Sequence, residues 1–207
     1  MRFLTFFAAF LILTSGLAHA GLEEGRRAYM KENWLGALQN LRPLAEEGND
    51  EALLLLGNMY NDGKGVEQNH TVALAHYKQA VAAGNDNAML AIATMYAQGL
   101  GVEKDMETSF TWFQQAANAG NPAAQLMLGS FYLKGHDDIP TVDADLVKSY
   151  GWFRIAARQD RLPDVAKAAK ELSRRLTVQM SPQQILDGEG IADKFYKTDT
   201  MDNNKTP

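Results

Sequence analysis

The 207-residue sequence predicts an all-α protein, a solenoid of helix-turn-helix repeats closed by C-terminal capping helices. Three observations predict it. A 36-residue step relates Ala52, Ala88 and Ala124, then Leu56, Ile92 and Leu128, then Tyr60, Tyr96 and Tyr132, then Gly63, Gly99 and Gly135. Four columns in phase mark a repeat array. Within the copies Ala, then Leu or Ile, then Tyr fall at i, i+4 and i+8, the spacing of one helical face. The glycine pairs Gly63 with Gly65 and Gly99 with Gly101 then suit the positive backbone dihedrals that end a helix and reverse the chain.

Taken in order, the chain opens on a processing signal. Arg2 precedes an apolar run from Phe3 to Leu13, broken by Thr5, and Ala18-His19-Ala20 has the small-x-small form of a cleavage site. Residues 1–20 are expected to be a signal peptide cut after Ala20, giving a periplasmic or secreted protein. The run is well short of the roughly 20 apolar residues that span a bilayer, and no later segment qualifies, so no transmembrane segment is expected after cleavage. Residues 21–50 read as a shorter hairpin carrying Gly25, Ala28, Trp34, Ala37 and Leu41. Gly48-Asn49 closes it as Gly84-Asn85 and Gly120-Asn121 close later ones.

Full repeats are expected over 51–86 and 87–122, and a third over 123–159 with extra residues within Gly135 to Ser149. After that insertion Trp152-Phe153 and Ala156-Ala157 repeat Trp112-Phe113 and Ala116-Ala117 at a step of 40. Small residues at Gly57, Ala93 and Gly129 allow a neighbouring helix to approach closely. Second helices are expected from about Asn69 to Ala83 and from about Asp105 to Ala119, with Asn69 and Asp105 as N-caps. Capping helices fill 160–197. One runs over Leu162 to Leu176, and Ser181-Pro182-Gln183-Gln184 opens the other with a cap, a first-position proline and a returning glutamine. An array needs its exposed end shielded in this way. Residues 198–207 are polar and expected to be a disordered tail.

Composition narrows the chemistry. Without cysteine there is no disulfide, thiolate nucleophile or Cys-based zinc site. The net charge is -5 with no clustered basic surface, which argues against nucleic acid as a partner. His70 and His76 lie six apart on one helix without a metal motif, and the glycine pairs lack the lysine of a phosphate loop. The acidic stretch Asp137, Asp138, Asp143 and Asp145 lacks the glycine and terminal glutamate of a calcium loop and reads as solvated. Trp34, Trp112 and Trp152, with Phe113 and Phe153, recur at what look like matching positions and so read as repeat core rather than a sugar platform. No catalytic, cofactor-binding or metal residue is expected.

The pattern Ala-x3-Leu-Gly-x2-Tyr-x2-Gly-x-Gly-Val, an Ala/aromatic helix and then Ala-x2-Gly-Asn, over Glu51 to Gln159, resembles the Sel-like repeat of the tetratricopeptide (TPR) class. The first hairpin departs by lacking Gly-x-Gly-Val, and the third has His136-Asp137 where Gly-Val stands. The resemblance implies a right-handed α-α superhelical solenoid whose first helices line a concave face. Carried over on the Leu-Gly-x2-Tyr alignment, the partner-binding positions are Leu54, Asn58, Asn61 and Asp62, then Asn87, Leu90, Thr94 and Gln98, then Leu126, Ser130 and Lys134. Amides there both donate and accept along a peptide backbone, and a leucine per repeat seats apolar side chains.

The function so implied is a non-catalytic protein- or peptide-binding scaffold or adaptor of the cell envelope, with no cofactor. Two rivals follow: an envelope protein that binds or hydrolyses cell-wall fragments or β-lactams, and a structural subunit that self-associates through its ends. Against the first, Ser109, Ser130, Ser149, Ser173 and Ser181 are followed three places on by Trp, Leu, Trp, Leu and Gln, so Ser-x-x-Lys is absent, as is Lys-Thr-Gly. On this phase Tyr96 is a central aromatic whose loss costs on the order of 3 to 5 kcal/mol. Groove changes such as Asn58→Ala should leave folding nearly intact.

Overall fold

A computed structural model describes residues 20–139 and 142–202, with side chains through residue 197. Among these residues the fold is all-α, as expected. Its helices are α1 (20–30), α2 (Trp34–Glu46), α3 (Asp50–Asp62), α4 (His70–Ala82), α5 (Asp86–Gln98), α6 (Met106–Asn118), α7 (Pro122–Lys134), α8 (Leu146–Ala157), α9 (Pro163–Leu176) and α10 (Pro182–Asp202). The segment expected to direct export, apart from Ala20 at the start of α1, lies outside the described residues. The segment read as a tail begins inside α10, and 203–207 lie outside the description. The chain divides into two compact units, Met1–Lys104 and Asp105–Pro207.

The Gly-Asn dipeptides explain how one helix hands over to the next. In unit 1, Gly48 and Gly84 take φ of +83° and +98°, so the N–H groups of Asn49 and Asn85 reach back to the carbonyls of Leu44 and Ala80 at 2.9 Å. The same asparagines turn forward as N-caps, their side-chain oxygens accepting from Ala52 N–H at 2.9 Å and Ala88 N–H at 3.3 Å. Each pair of residues thus satisfies carbonyls at one helix end and amides at the next. Unit 2 repeats the device at Gly120-Asn121.

In unit 1, Ala37, Leu41, Ala52, Leu56 and Met59 form a buried cluster, with Leu22, Ala28 and Trp34 half-buried against it. A Cβ at Gly57 would stand 2.5 Å from the Tyr77 ring, which is why the α3 face must be bare there. The second glycine of each turn rests on the start of the preceding second helix. A Cβ at Gly65 would meet Trp34 Cβ at 2.5 Å, and one at Gly101 would meet the carbonyl carbon of His70 at 2.7 Å.

Two expectations about the core need correction. Tyr60, Tyr96 and Tyr132 are only half-buried; the residues before them, Met59, Met95 and Phe131, are 0%, 2% and 8% exposed. Counted from Ala52, the buried stripe runs through i, i+4 and i+5, and its i+7 position falls on Met59, leaving the tyrosine at the margin. The large cost expected for Tyr96 therefore belongs to Met95. Nor do the tryptophans share one column: the 36-residue step pairs Trp34 with His70 and Trp112 with His76. All three are half-buried, whereas Phe113 and Phe153 are core.

Unit 2 centres on Phe110, Phe113 and Phe131, whose rings meet at 5.4 and 5.6 Å. Phe153 covers Gly129, where a Cβ would overlap the ring, and the buried Ser149 hydroxyl donates to the Gly129 carbonyl at 2.7 Å. The insertion buries Ile139 and Val142 yet leaves the start of α8 pinned, since Asp145 N–H bonds the Tyr132 carbonyl at 2.7 Å. In unit 1 Asn69 N–H bonds the Tyr60 carbonyl in the same way at 2.8 Å.

Helices α9 and α10 both pack on α8. At the α10 contact Gly151 and Gly188 admit Ile191 and Tyr150, and Tyr196 donates its hydroxyl to the Ile155 carbonyl at 2.6 Å. Arg158 pairs with Glu189 and Asp193 across the same surface. Ser181 and Gln184 form the reciprocal cap expected for α10, with bonds of 3.3 and 2.9 Å.

Candidate functional site

Unit 1 contains a groove of about 340 Å³ between α3 and α5, the first helices of two consecutive repeats. Seven expected binding positions line it: Leu54, Asn58, Asn61, Asn87, Leu90, Thr94 and Gln98. Tyr77, Ala91, Met95 and Leu100 line it as well. Sequence reasoning missed Tyr77 because it confined the face to first helices, whereas Tyr77 reaches in from α4; Ala91 and Met95 lie on α5 beside the expected positions.

The polar groups differ in their surroundings. Asn58 Oδ1 accepts from the Tyr77 hydroxyl at 2.8 Å, so it satisfies a buried phenol. Burial, then the nearby Asp62 charge, raises the pKa of that phenol. Asn61 is committed on three sides: its Nδ2 donates to Asp62 at 2.9 Å, its Oδ1 meets His70 Nδ1 at 3.0 Å, and its carbonyl accepts from Gln68 at 2.8 Å. Thr94 donates its hydroxyl to the Leu90 carbonyl of its own helix at 3.0 Å. Asn87 and Gln98 are exposed, and Leu54 and Leu90 are half-buried. Asp62 stands outside the groove lining, paired with Lys64 at 2.8 Å. Burial would raise its pKa, but the hydrogen bonds from Lys64 and Asn61 and the Lys64 charge outweigh this and lower it.

The corresponding positions of unit 2 have other surroundings. Leu126 packs with Leu133 against a buried cluster of Tyr150, Phe153, Leu176 and Met180, joined by Leu172. Ser130 donates its hydroxyl to the Leu126 carbonyl at 3.0 Å, and Lys134 is exposed at the end of α7.

The remaining candidates have local roles. Ser109, Ser149 and Ser173 are buried, the last bonding the Lys170 carbonyl at 2.9 Å, and Ser181 caps α10. His136 Nδ1 accepts from Asp138 N–H at 3.3 Å. Asp137, Asp138 and Asp143 are exposed, while Asp145 caps α8 by accepting from Lys148 N–H at 2.9 Å. Among the described residues no group of three His, Cys, Asp or Glu side chains is placed to hold a metal ion, and no helix is long and apolar enough to cross a membrane.

Comparison with known proteins gives the architecture a name. The model of the Sel1 repeat matches residues 50–85, 86–121 and 122–160, more than half of the chain. A Sel1 repeat protein from Oxalobacter formigenes, known from its crystal structure, is 36% identical with a TM-score of 0.55, the match covering 65% of this chain and 97% of that one. A protective antigen present in uropathogenic Escherichia coli strains, displaying an SLR fold, is 23% identical with a TM-score of 0.54. That match covers 79% of this chain and 41% of the antigen, and shows a shared fold. No curated protein matches. The repeat period, the helix junctions and these matches agree: the chain belongs to the Sel1 repeat family and is a helical-repeat scaffold.

Proposed function

We propose that this protein is an exported, non-catalytic scaffold that binds a protein or peptide in the groove between α3 and α5. The observation that carries this reading is the groove's composition. Half-buried Leu54 and Leu90 sit beside exposed amides at Asn87 and Gln98, over a floor reaching Met95. Leucines at this depth seat alternate apolar side chains, while amides bond the backbone of an extended peptide. Asn58 and Asn61 shape the walls, their side chains already bonded to Tyr77, Asp62 and His70. The non-catalytic reading is supported by the serines, three of them buried and one serving as a helix cap. Export rests on the Arg2 to Ala20 pattern, and N-terminal sequencing of the mature protein should begin at Gly21.

The test is selection from a displayed peptide library on the full chain, followed by affinity measurement of the enriched peptide. Leu90→Asp should weaken that peptide at least about tenfold, roughly 1.4 kcal/mol, without shifting the unfolding midpoint much. No enrichment, or a peptide indifferent to Leu90→Asp, contradicts the assignment. A fluorescent penicillin should leave the protein unlabelled; a covalent label lost on serine substitution would favour the enzyme reading instead.

A further inference from the structure

Unit 1 has a second cleft, about 640 Å³, lying between the second helices α2 and α4 with α3 as its floor. It is separate from the peptide groove and does not depend on that reading. Its origin is visible in the repeat register. The dipeptides His76-Tyr77, Trp112-Phe113 and Trp152-Phe153 occupy one column, so the array places an indole at this point twice and an imidazole once. In unit 2 the Trp152 ring meets the Phe195 ring edge-on at 6.0 Å. In unit 1 the smaller His76 ring lies flat on Tyr60, with centroids 5.4 Å apart and planes at 17°, and lines the cleft.

Three features give the cleft a chemistry. Leu53 and Leu56 make an apolar floor beside the stacked Tyr60 and His76 rings, a surface suited to another flat ring. His76 Nδ1 is closed to solvent and has no hydrogen-bond partner among the described residues, and the imidazole enters the cleft lining as an aromatic wall. At the rim Arg42 and Glu46 stand one turn apart on exposed positions of α2, a positive and a negative group on the same edge. A volume of this size lies in the range that holds small ligands.

We propose that the cleft binds a free aromatic amino acid. Its ring fills the place that the array elsewhere gives to tryptophan, lying beside the stacked Tyr60 and His76 rings over Leu53 and Leu56. The carboxylate lies at Arg42 and the ammonium at Glu46.

Calorimetric titration of the full chain with L-tryptophan and with indole tests this. L-Tryptophan should bind more tightly than indole. His76→Trp, which installs the residue the other two copies carry, should weaken both at least about tenfold while circular dichroism shows an intact helical fold. Ala82→Phe, crowding the cleft from an exposed position, should do the same by a different route. Arg42→Ala should weaken L-tryptophan and leave indole unchanged. The proposal is overturned if L-tryptophan shows no binding up to roughly millimolar concentration, if binding survives both cleft-filling variants, or if only aromatic peptides bind.

Discussion

The leucine column that borders an open groove in unit 1 packs against a buried cluster in unit 2. Leu54 and Leu90 border a groove, whereas Leu126, in the same column, packs with Leu133 against Leu176 and Met180. The repeat motif is the same; the next element is not. After α8 comes a helix that presents Leu172 and Leu176 to this cluster, and position 133 is a leucine where unit 1 has Asn61. A column therefore specifies where a side chain points along its own helix, and the following helix decides whether that direction meets solvent or protein. The polar columns differ in parallel. Asn58 accepts from the Tyr77 hydroxyl, whereas Ser130 lies in a repeat whose corresponding ring, Phe153, has no hydroxyl to satisfy.

The largest effect that tests this contrast is loss of the covering leucine. Leu176→Ala removes a fully buried side chain and should cost about 2 to 5 kcal/mol, read as a lower urea midpoint. Leu54→Ala, half-buried beside an open groove, should cost well under half of that. Equal losses would mean that the two columns are equally buried in solution.

Next comes the asparagine. Contrary to the sequence-based expectation, Asn58→Ala leaves the hydroxyl of buried Tyr77 without its acceptor and should cost about 1 to 3 kcal/mol. Ser130→Ala loses one bond within its own helix and should stay within about 0.5 kcal/mol. Chemical denaturation of the two variants separates them, and Asn58→Ala combined with Tyr77→Phe should recover part of the loss.

The smallest effect is a pH dependence peculiar to unit 1. Burial lowers the His76 pKa below its ordinary 6.5, so the unfolded chain takes up the proton first. Stability from this residue is present above that value and falls as pH drops through it toward the lower folded pKa. Comparing urea midpoints at about pH 7.5 and about pH 5.5, His76→Trp should lose less on acidification than the native chain. An unchanged difference would place His76 in solvent.

Much of this was legible in the sequence because repetition reports geometry directly. The turn glycines, the Asn69 and Asp105 caps and the Ser181 box follow from backbone chemistry that acts within a few residues, and all are present. The buried stripe holds Ala52 and Leu56 as the spacing predicts and differs only at its last position, because seven residues return closer to the same helical angle than eight, so Met59, Met95 and Phe131 take the core place instead of the tyrosines. Seven groove positions were found from the first helices, yet Tyr77 and the covering of Leu126 were not. Tyr77 reaches in from the neighbouring helix α4 and the cover of Leu126 comes from α9, contacts between helices that a period within one helix does not encode.

The most direct test of the central claim uses one column in its two settings. A photo-crosslinking residue is placed at Gln98 in one protein and at Lys134 in another, 36 residues on, and each is irradiated with the enriched peptide. The account predicts a crosslinked adduct from position 98 and little from position 134. Equal yields, or an adduct from position 134 alone, would contradict it.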